Sequence, residues 1–162
     1  MRTAYKCRAY PHPDQQVLLA RTFGCVRVVW NRTLAARRAR WATQRRGTCW
    51  RQTDTALTAM KRLPELAWLN EVSSVPLQQA LRHQHNAYQA FFAGRAHSPR
   101  FKSRRGRQSA HATRSAFGWR DGALTLAKTT SPLRELWSWP GIDPATLDPR
   151  TVTVSREPCG RW

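Results

Sequence analysis

Arg95, Arg100, Lys102, Arg104, Arg105 and Arg107 fall within thirteen residues that hold no carboxylate and are broken by Gly106 and Pro99. A second cationic set, Arg27, Arg32, Arg37, Arg38, Arg40, Arg45 and Arg46, also lacks a neighbouring acid. Side chains of this kind donate to phosphate, and arginine does so bidentately, to phosphate and to guanine edges alike. Arg27, Arg37, Arg38, Arg100, Lys102, Arg104, Arg105 and Arg107 are therefore the candidate phosphate-binding residues. Only Lys6, Lys61, Lys102 and Lys128 are lysines; a GC-rich genome gives the same preference for arginine, but not the shortage of acids.

Hydrolytic chemistry on nucleic acid needs two or three carboxylates converging on divalent metal. Asp14 and Asp54 read as helix caps and Asp121 as a turn residue, while Asp143 and Asp148 stand beside prolines. Glu65, Glu71, Glu135 and Glu157 remain, and none lies within an apolar strand, so no catalytic residue is assigned. His83 and His85, two apart on a helix, point to different faces and read as exposed residues, not as a joint metal site. Cys7, Cys25, Cys49 and Cys159 form no C-x-x-C pair, so neither zinc nor a disulfide framework is expected. There is no Gly-rich phosphate loop, and no cofactor is expected. Trp41, Trp50, Phe101, Trp137 and Trp139 stand among arginines and could stack on splayed bases, though ordinary packing explains such residues too, Trp68 and Trp119 above all.

The formal charge of +19 on 162 residues makes a polyanion the expected partner. A hydrophobic fraction of 41% can build a core, and no stretch of eighteen apolar residues offers a membrane span. A reduced, cytoplasmic, nucleoid-associated location is expected, with neither secretion nor membrane association.

The elements that would position these residues follow from pattern. Tyr5, Cys7 and Ala9 alternate with Lys6 and Arg8, which predicts a strand over 3–10 ended by Pro11 and Pro13. Asp14 would cap a helix carrying Val17, Leu18 and Phe23, Gly24 would end it, and a second helix would start near Cys25, giving a helix-turn-helix. That second helix turns Val26, Val29, Trp30, Leu34 and Trp41 inward. Thr53 or Asp54 would cap a short third helix through Arg62, leaving Trp50 in a loop, and Pro64 would break it. Ser74 would cap a fourth helix that carries Leu77, Leu81, Tyr88, Phe91 and Phe92 up to Gly94. Asp121-Gly122 predicts a two-residue hairpin with Trp119 opposite Leu124 and Phe117 opposite Leu126. Residues 151–155 alternate again, and the chain stops at Trp162 where a partner strand would only be starting.

Several stretches together resemble the amino-terminal half of the TnpB, or OrfB, proteins of insertion sequences. They are 5–11 (YKCRAYP), 23–31 (FGCVRVVWN), 68–81 (WLNEVSSVPLQQAL), Phe91-Phe92, 99–103 (PRFKS) and the hairpin from Trp119 to Leu126. The resemblance implies an α+β fold: a partial, OB-like wedge β-barrel, its last strand cut short, into which a helical recognition lobe is inserted. Residues 1–12 would give the first wedge strand, 13–94 the helical lobe, and 95–162 the basic loop and wedge hairpins.

It implies that protein reads a short motif in duplex DNA flanking the target while a guide-type RNA from the transposon end reads sequence by pairing. Trp50, Asp54, Ser74, Gln78 and Ser115 would approach the flanking DNA, and the amide of Gln78 can pair bidentately with adenine. The family's RuvC-like carboxylates and four-cysteine zinc module would lie beyond the last residue of this chain. Gln84 falls where a leucine would fill the helix seam, Cys7 and Ala9 where larger apolar residues are usual, and a missing strand after Gly160 would leave a barrel edge unpaired. Three readings follow: a module that binds without cutting, a subunit supplying recognition in trans to a separate catalytic partner chain, or a remnant that adsorbs to polyanions.

Overall fold

In a computed structural model, which describes residues 3–162, helices and short antiparallel ladders are mixed along one chain, an α+β arrangement. Helix α1 runs over Pro13–Gln44, α2 over Trp50–Arg62 and α3 over Ser74–Phe92, with a 3-10 segment Pro64–Asn70 between the last two.

Residues 13–44 form one helix, and the expected break at Gly24 is absent. Leu19, Thr22, Phe23, Val26, Val29, Thr33 and Leu34 are buried at steps of three and four residues straight through that position. The stripe keeps its register, so burial on both sides outweighs the roughly 1 kcal/mol that a helical glycine costs. The left-handed residue that ends the helix is Arg45, at φ 53°. At the other end His12, not Asp14, is the cap: its N–H donates to Gln15 Oε1 (2.9 Å), while Asp14 sits in the first turn, where the helix dipole favours it.

The caps of α2 and α3 also move. Cys49 precedes α2 and its N–H donates to Gln52 Oε1 (3.0 Å), so Trp50 is the first helical residue, not part of a loop, and neither Thr53 nor Asp54 is a cap. Thr53 is buried instead, its hydroxyl donating to Trp50 O (2.6 Å). Ser73 caps α3 in place of Ser74, its Oγ accepting from Val75 N (3.4 Å), and Pro76 lies in the first turn, where no N–H is needed. Gly94, at φ 70°, lies just past the helix end as expected.

Three two-stranded antiparallel ladders complete the fold, and no closed barrel forms among the described residues. Strands β3 (Phe117–Arg120) and β4 (Ala123–Leu126) pair Trp119 with Leu124 and Phe117 with Leu126 across Asp121 and Gly122, both at positive φ, in the register the Asp-Gly turn predicts. β2 (Gln108–Thr113) pairs over six residues with β6 (Thr151–Arg156). β1 is only Arg8–Ala9, paired with β5, Glu135–Leu136, and is shorter than the strand expected over 3–10. The alternation persists, with Lys6 and Arg8 exposed, but the indole N–H of Trp139 takes the carbonyl of Lys6 (3.2 Å) in place of a ladder partner.

α1 belongs to both cores. Cys25, Val26 and Val29 pack with Leu57, Leu69, Leu77 and Leu81 of the helical part. Leu19 and Phe23 pack with Ala110, Leu124, Leu133 and Val154 of the ladders. The residues after Gly160 fold back: Trp162 stacks on Phe23 with ring centroids 5.8 Å apart, and its carbonyl accepts from Ala9 N (3.5 Å). Buried Gln15 clasps the same core from the side, donating to Ser131 O (3.0 Å) and Pro132 O (3.2 Å).

Candidate nucleic-acid interface

Two stretches set the electrostatics. Nine arginines and no carboxylate lie between Asp14 and Asp54, and nine further cations and no carboxylate lie between Glu71 and Asp121. The fold presses these stretches together along α1. Asn31 donates from Nδ2 to Lys102 O (3.0 Å) and accepts at Oδ1 from Lys102 N (2.8 Å), treating the segment as a β-strand neighbour would. The indole of Trp30 donates to Arg100 O (2.9 Å), and Arg38 donates to Pro99 O (2.8 Å). Residues 99–102 are thus fastened by their backbone, which leaves the Arg100 side chain exposed.

Lys102 is half-buried with its ammonium 4.7 Å from the Trp30 ring centre, and burial lowers its pKa. Beyond it the amide of Gln108 donates to the carbonyls of Ser103 (2.9 Å), Arg104 (3.3 Å) and Gly106 (2.7 Å). That one side chain orders the turn and leaves Arg104 and Arg105 exposed. Arg107 is already engaged, with Glu157 at 3.2 Å and the Ser155 hydroxyl at 3.2 Å.

At the carboxyl-terminal half of α1, Arg37 and Arg38 each cover an aromatic ring. Arg38 stands 4.9 Å from the centre of Phe101, and Arg37 stands 5.1 Å from that of Tyr88. Arg37 is buried, 8% exposed, its Nε and Nη2 have no hydrogen-bond partner, and burial lowers its pKa. Arg27, ten residues earlier on α1, is half-buried.

A groove between α2 and α3 is lined by Trp50, Thr53, Asp54, Gln78, Leu81 and Arg82. It brings together three of the residues singled out for DNA, Trp50, Asp54 and Gln78, and adds Arg82, which sequence reasoning passed over. Trp50 and Gln78 are exposed and Asp54 is half-buried. Ser74, one turn before Gln78, has its hydroxyl 2.6 Å from Lys61 Nζ, whose proton it accepts. Ser115 does not line this groove; it lies in the corner Arg114–Ala116 between β2 and β3, its hydroxyl 3.5 Å from that of Thr113. Two of the aromatics considered for base stacking are committed elsewhere: Trp137 and Trp139 flank Tyr5 at 5.4 and 5.5 Å.

The acids are scattered. Glu71 pairs with Arg21 at 3.4 Å, Glu157 with Arg107, and Asp148 with Arg114, while Asp143 caps a turn by accepting from Ala145 N (2.9 Å). Among the described residues no three His, Cys, Asp or Glu side chains are placed to share a metal ion, and no helix is long and apolar enough to cross a membrane.

The family model described as a helix-turn-helix domain, of the OrfB type, matches residues 1–46. In this chain that span ends with α1, and the first turn between helices is residues 45–49. A Streptomyces pristinaespiralis protein provisionally named an RNA-guided DNA endonuclease is 52% identical over the whole of this chain, which covers 40% of that protein. The Escherichia coli K12 protein InsQ, named in the same provisional way, is 34% identical over 98% of this chain, which covers 38% of it. The chain thus spans about two fifths of the length of these relatives. Along that length it is similar to these two proteins, and over residues 1–46 to the OrfB-type helix-turn-helix domain of insertion sequences.

Proposed function

We propose that this chain is a nucleic-acid-binding unit of a TnpB/OrfB-type protein, holding a guide-type RNA and the duplex DNA that flanks its target without a cutting centre of its own. The observation that carries the proposal is the meeting of two carboxylate-free arginine stretches along α1, with residues 99–102 fastened by their backbone so that charged side chains are left for phosphate. Arg27, Arg38, Arg100, Lys102, Arg104 and Arg105 supply the phosphate contacts. The groove of Trp50, Asp54, Gln78 and Arg82 faces the flanking DNA, with Ser74 one turn before Gln78, and Ser115 reaches that DNA from the separate corner between β2 and β3. The three ladders act as the wedge, and the working location is the cytoplasm, at the nucleoid. The dispersal of the nine carboxylates supports binding without cleavage by this chain.

The test is the affinity of the purified chain for the RNA encoded at its own transposon end, against a scrambled RNA of equal length, over a salt series. Preference for the cognate RNA is expected, together with a log–log salt slope of about −0.7 per phosphate contact. Affinity that hardly changes with salt overturns the reading. Because the chain spans about two fifths of its relatives, a second reading is recognition supplied in trans to a separate catalytic chain. Cleavage by such a chain that is unchanged when this one is omitted rejects it.

A further inference from the structure

The carboxyl-terminal end of α3 carries aromatic surface that neither core uses. Phe92 is 70% exposed and Phe91 38%. Phe92 lies in near-parallel stack on Tyr88, with ring centroids 5.9 Å apart and planes 23° apart, and Phe91 meets Phe92 at 5.3 Å and 52°. The Arg37 guanidinium also stands 5.1 Å from the centre of the Tyr88 ring, so Arg37, Tyr88 and Phe92 form one contact ladder, with Phe92 open to solvent. Arg38 over the half-exposed Phe101 makes a second, shorter pair from the adjacent residue of α1.

We infer that this ladder is a stacking platform for unpaired bases of a single-stranded nucleic acid, with Phe92 as the outer step. The inference rests on the nucleic-acid-binding reading above and says where an unpaired segment would lie.

Three features select this occupant. An open ring that continues a stack offers a base the same face that Tyr88 offers Phe92, and base–aromatic stacking is tolerant of sequence. The surroundings are cationic throughout: no carboxylate lies between Asp14 and Asp54 or between Glu71 and Asp121, the stretches that hold the platform and its arginines, so a polyanion is the complementary ligand. Arg37 supplies the third feature, a charge more than nine-tenths buried with two nitrogens unpartnered. In so poorly screened a place a guanidinium attracts a nearby phosphate more strongly than a solvated one does. The carbonyl end of α3 is unfavourable to phosphate at Phe92 itself, which leaves that ring to a base and the phosphates to the arginine side.

The experiment compares an oligoadenylate RNA of about 12 nucleotides with an abasic sugar–phosphate strand of equal length and charge, by fluorescence anisotropy at fixed salt, for the whole chain and for Phe92→Leu and Phe92→Trp. The whole chain should bind oligoadenylate about five-fold or more tighter than the abasic strand. Phe92→Leu should lose that preference while keeping its abasic affinity within about two-fold, and Phe92→Trp should restore it. Equal binding of both strands by the whole chain, or equal losses on both strands in Phe92→Leu, overturns the platform while leaving the cationic binding unit in place. Failure to bind either strand overturns both. Sedimentation of the same samples separates the remaining occupant: a dimer that Phe92→Leu dissociates would assign the aromatic face to a second copy of the chain and refute the platform.

Discussion

Gln84, wholly buried in α3, donates from Nε2 to the backbone carbonyl of Trp30 in α1 at 2.9 Å, while its Oε1 finds no partner. The indole of Trp30 in turn donates to Arg100 O and lies beneath the Lys102 ammonium. A position where an apolar residue was expected therefore ties the helix pair together at the point where the basic segment is fastened. One half of the amide is satisfied and the other is not, so the bond's net worth is small while the volume of the side chain matters.

Gln84→Leu is accordingly expected to be near neutral, within about 1 kcal/mol, because removing the orphaned Oε1 offsets the lost hydrogen bond. Gln84→Ala should cost about 2–4 kcal/mol through the cavity it leaves. Urea unfolding of both variants checks this. Equal losses would mean that the hydrogen bond, not the filling of the seam, is what the position supplies.

Asn31 tests whether the basic segment works by charge alone. Its two hydrogen bonds to the Lys102 backbone would be lost in Asn31→Ala, with no cation removed. A cost of about 1–2 kcal/mol in stability is expected from the Lys102 backbone groups left unpaired. A several-fold weaker RNA affinity at fixed salt should accompany it, since the cations would no longer be held in one arrangement. RNA affinity equal to that of the unaltered chain would show that the segment holds its shape without this clamp.

The parts of the fold written in local chemistry were legible in the sequence. The Asp121-Gly122 turn set the β3–β4 register, and the apolar spacing from Leu77 to Phe92 set α3. What escaped were features decided by distant partners. Strand β2 reads Gln-Ser-Ala-His-Ala-Thr, with too little apolar alternation to announce a strand, and is held by β6 some forty residues later. The continuity of α1 escaped because glycine is a stop signal locally, whereas the buried stripe through Gly24 is visible only once both cores are in place. In the candidate interface, the arginine run was plain from composition. Its fastening by Trp30 and Asn31, some seventy residues away, left no trace in spacing. The aromatic ladder was half visible: Tyr88 and Phe92 were placed as the apolar face of a helix, which gave no sign that Phe92 would remain 70% exposed.

Two glycines should respond in opposite directions to the same methyl group. Gly24 lies inside α1 with open space where a Cβ would stand, so Gly24→Ala should stabilise by about 0.5–1 kcal/mol. Gly122 has φ +78°, and a Cβ there would meet Ala145 N and Pro144 carbons at 3.1 Å. Gly122→Ala should therefore destabilise by about 1–3 kcal/mol. Thermal melts of the two variants decide it. A loss in Gly24→Ala would indicate a left-handed turn at that residue and two helices in place of α1.

Acid should loosen the contact between α3 and β2. His83 of α3 and His111 of β2 meet edge to face with ring centroids 5.0 Å apart, and the Nδ1 of His111 lies 2.8 Å from the Thr153 hydroxyl. The pKa of His83 is lowered by burial first, then by His111 and Lys102, and that of His111 is lowered by burial. A base whose folded pKa lies below its unfolded 6.5 binds fewer protons folded than unfolded, so stability is full above about pH 6.5 and falls as pH drops toward the folded values. Glu135 acts in the opposite sense. Burial raises its pKa above 4.5, so it favours the folded state as pH falls through that raised value. The melting temperature of the whole chain should therefore fall between about pH 7.5 and 5.5, and fall less in the double variant His83→Asn with His111→Asn. A decline of the same size in the double variant would place the acid sensitivity away from this pair.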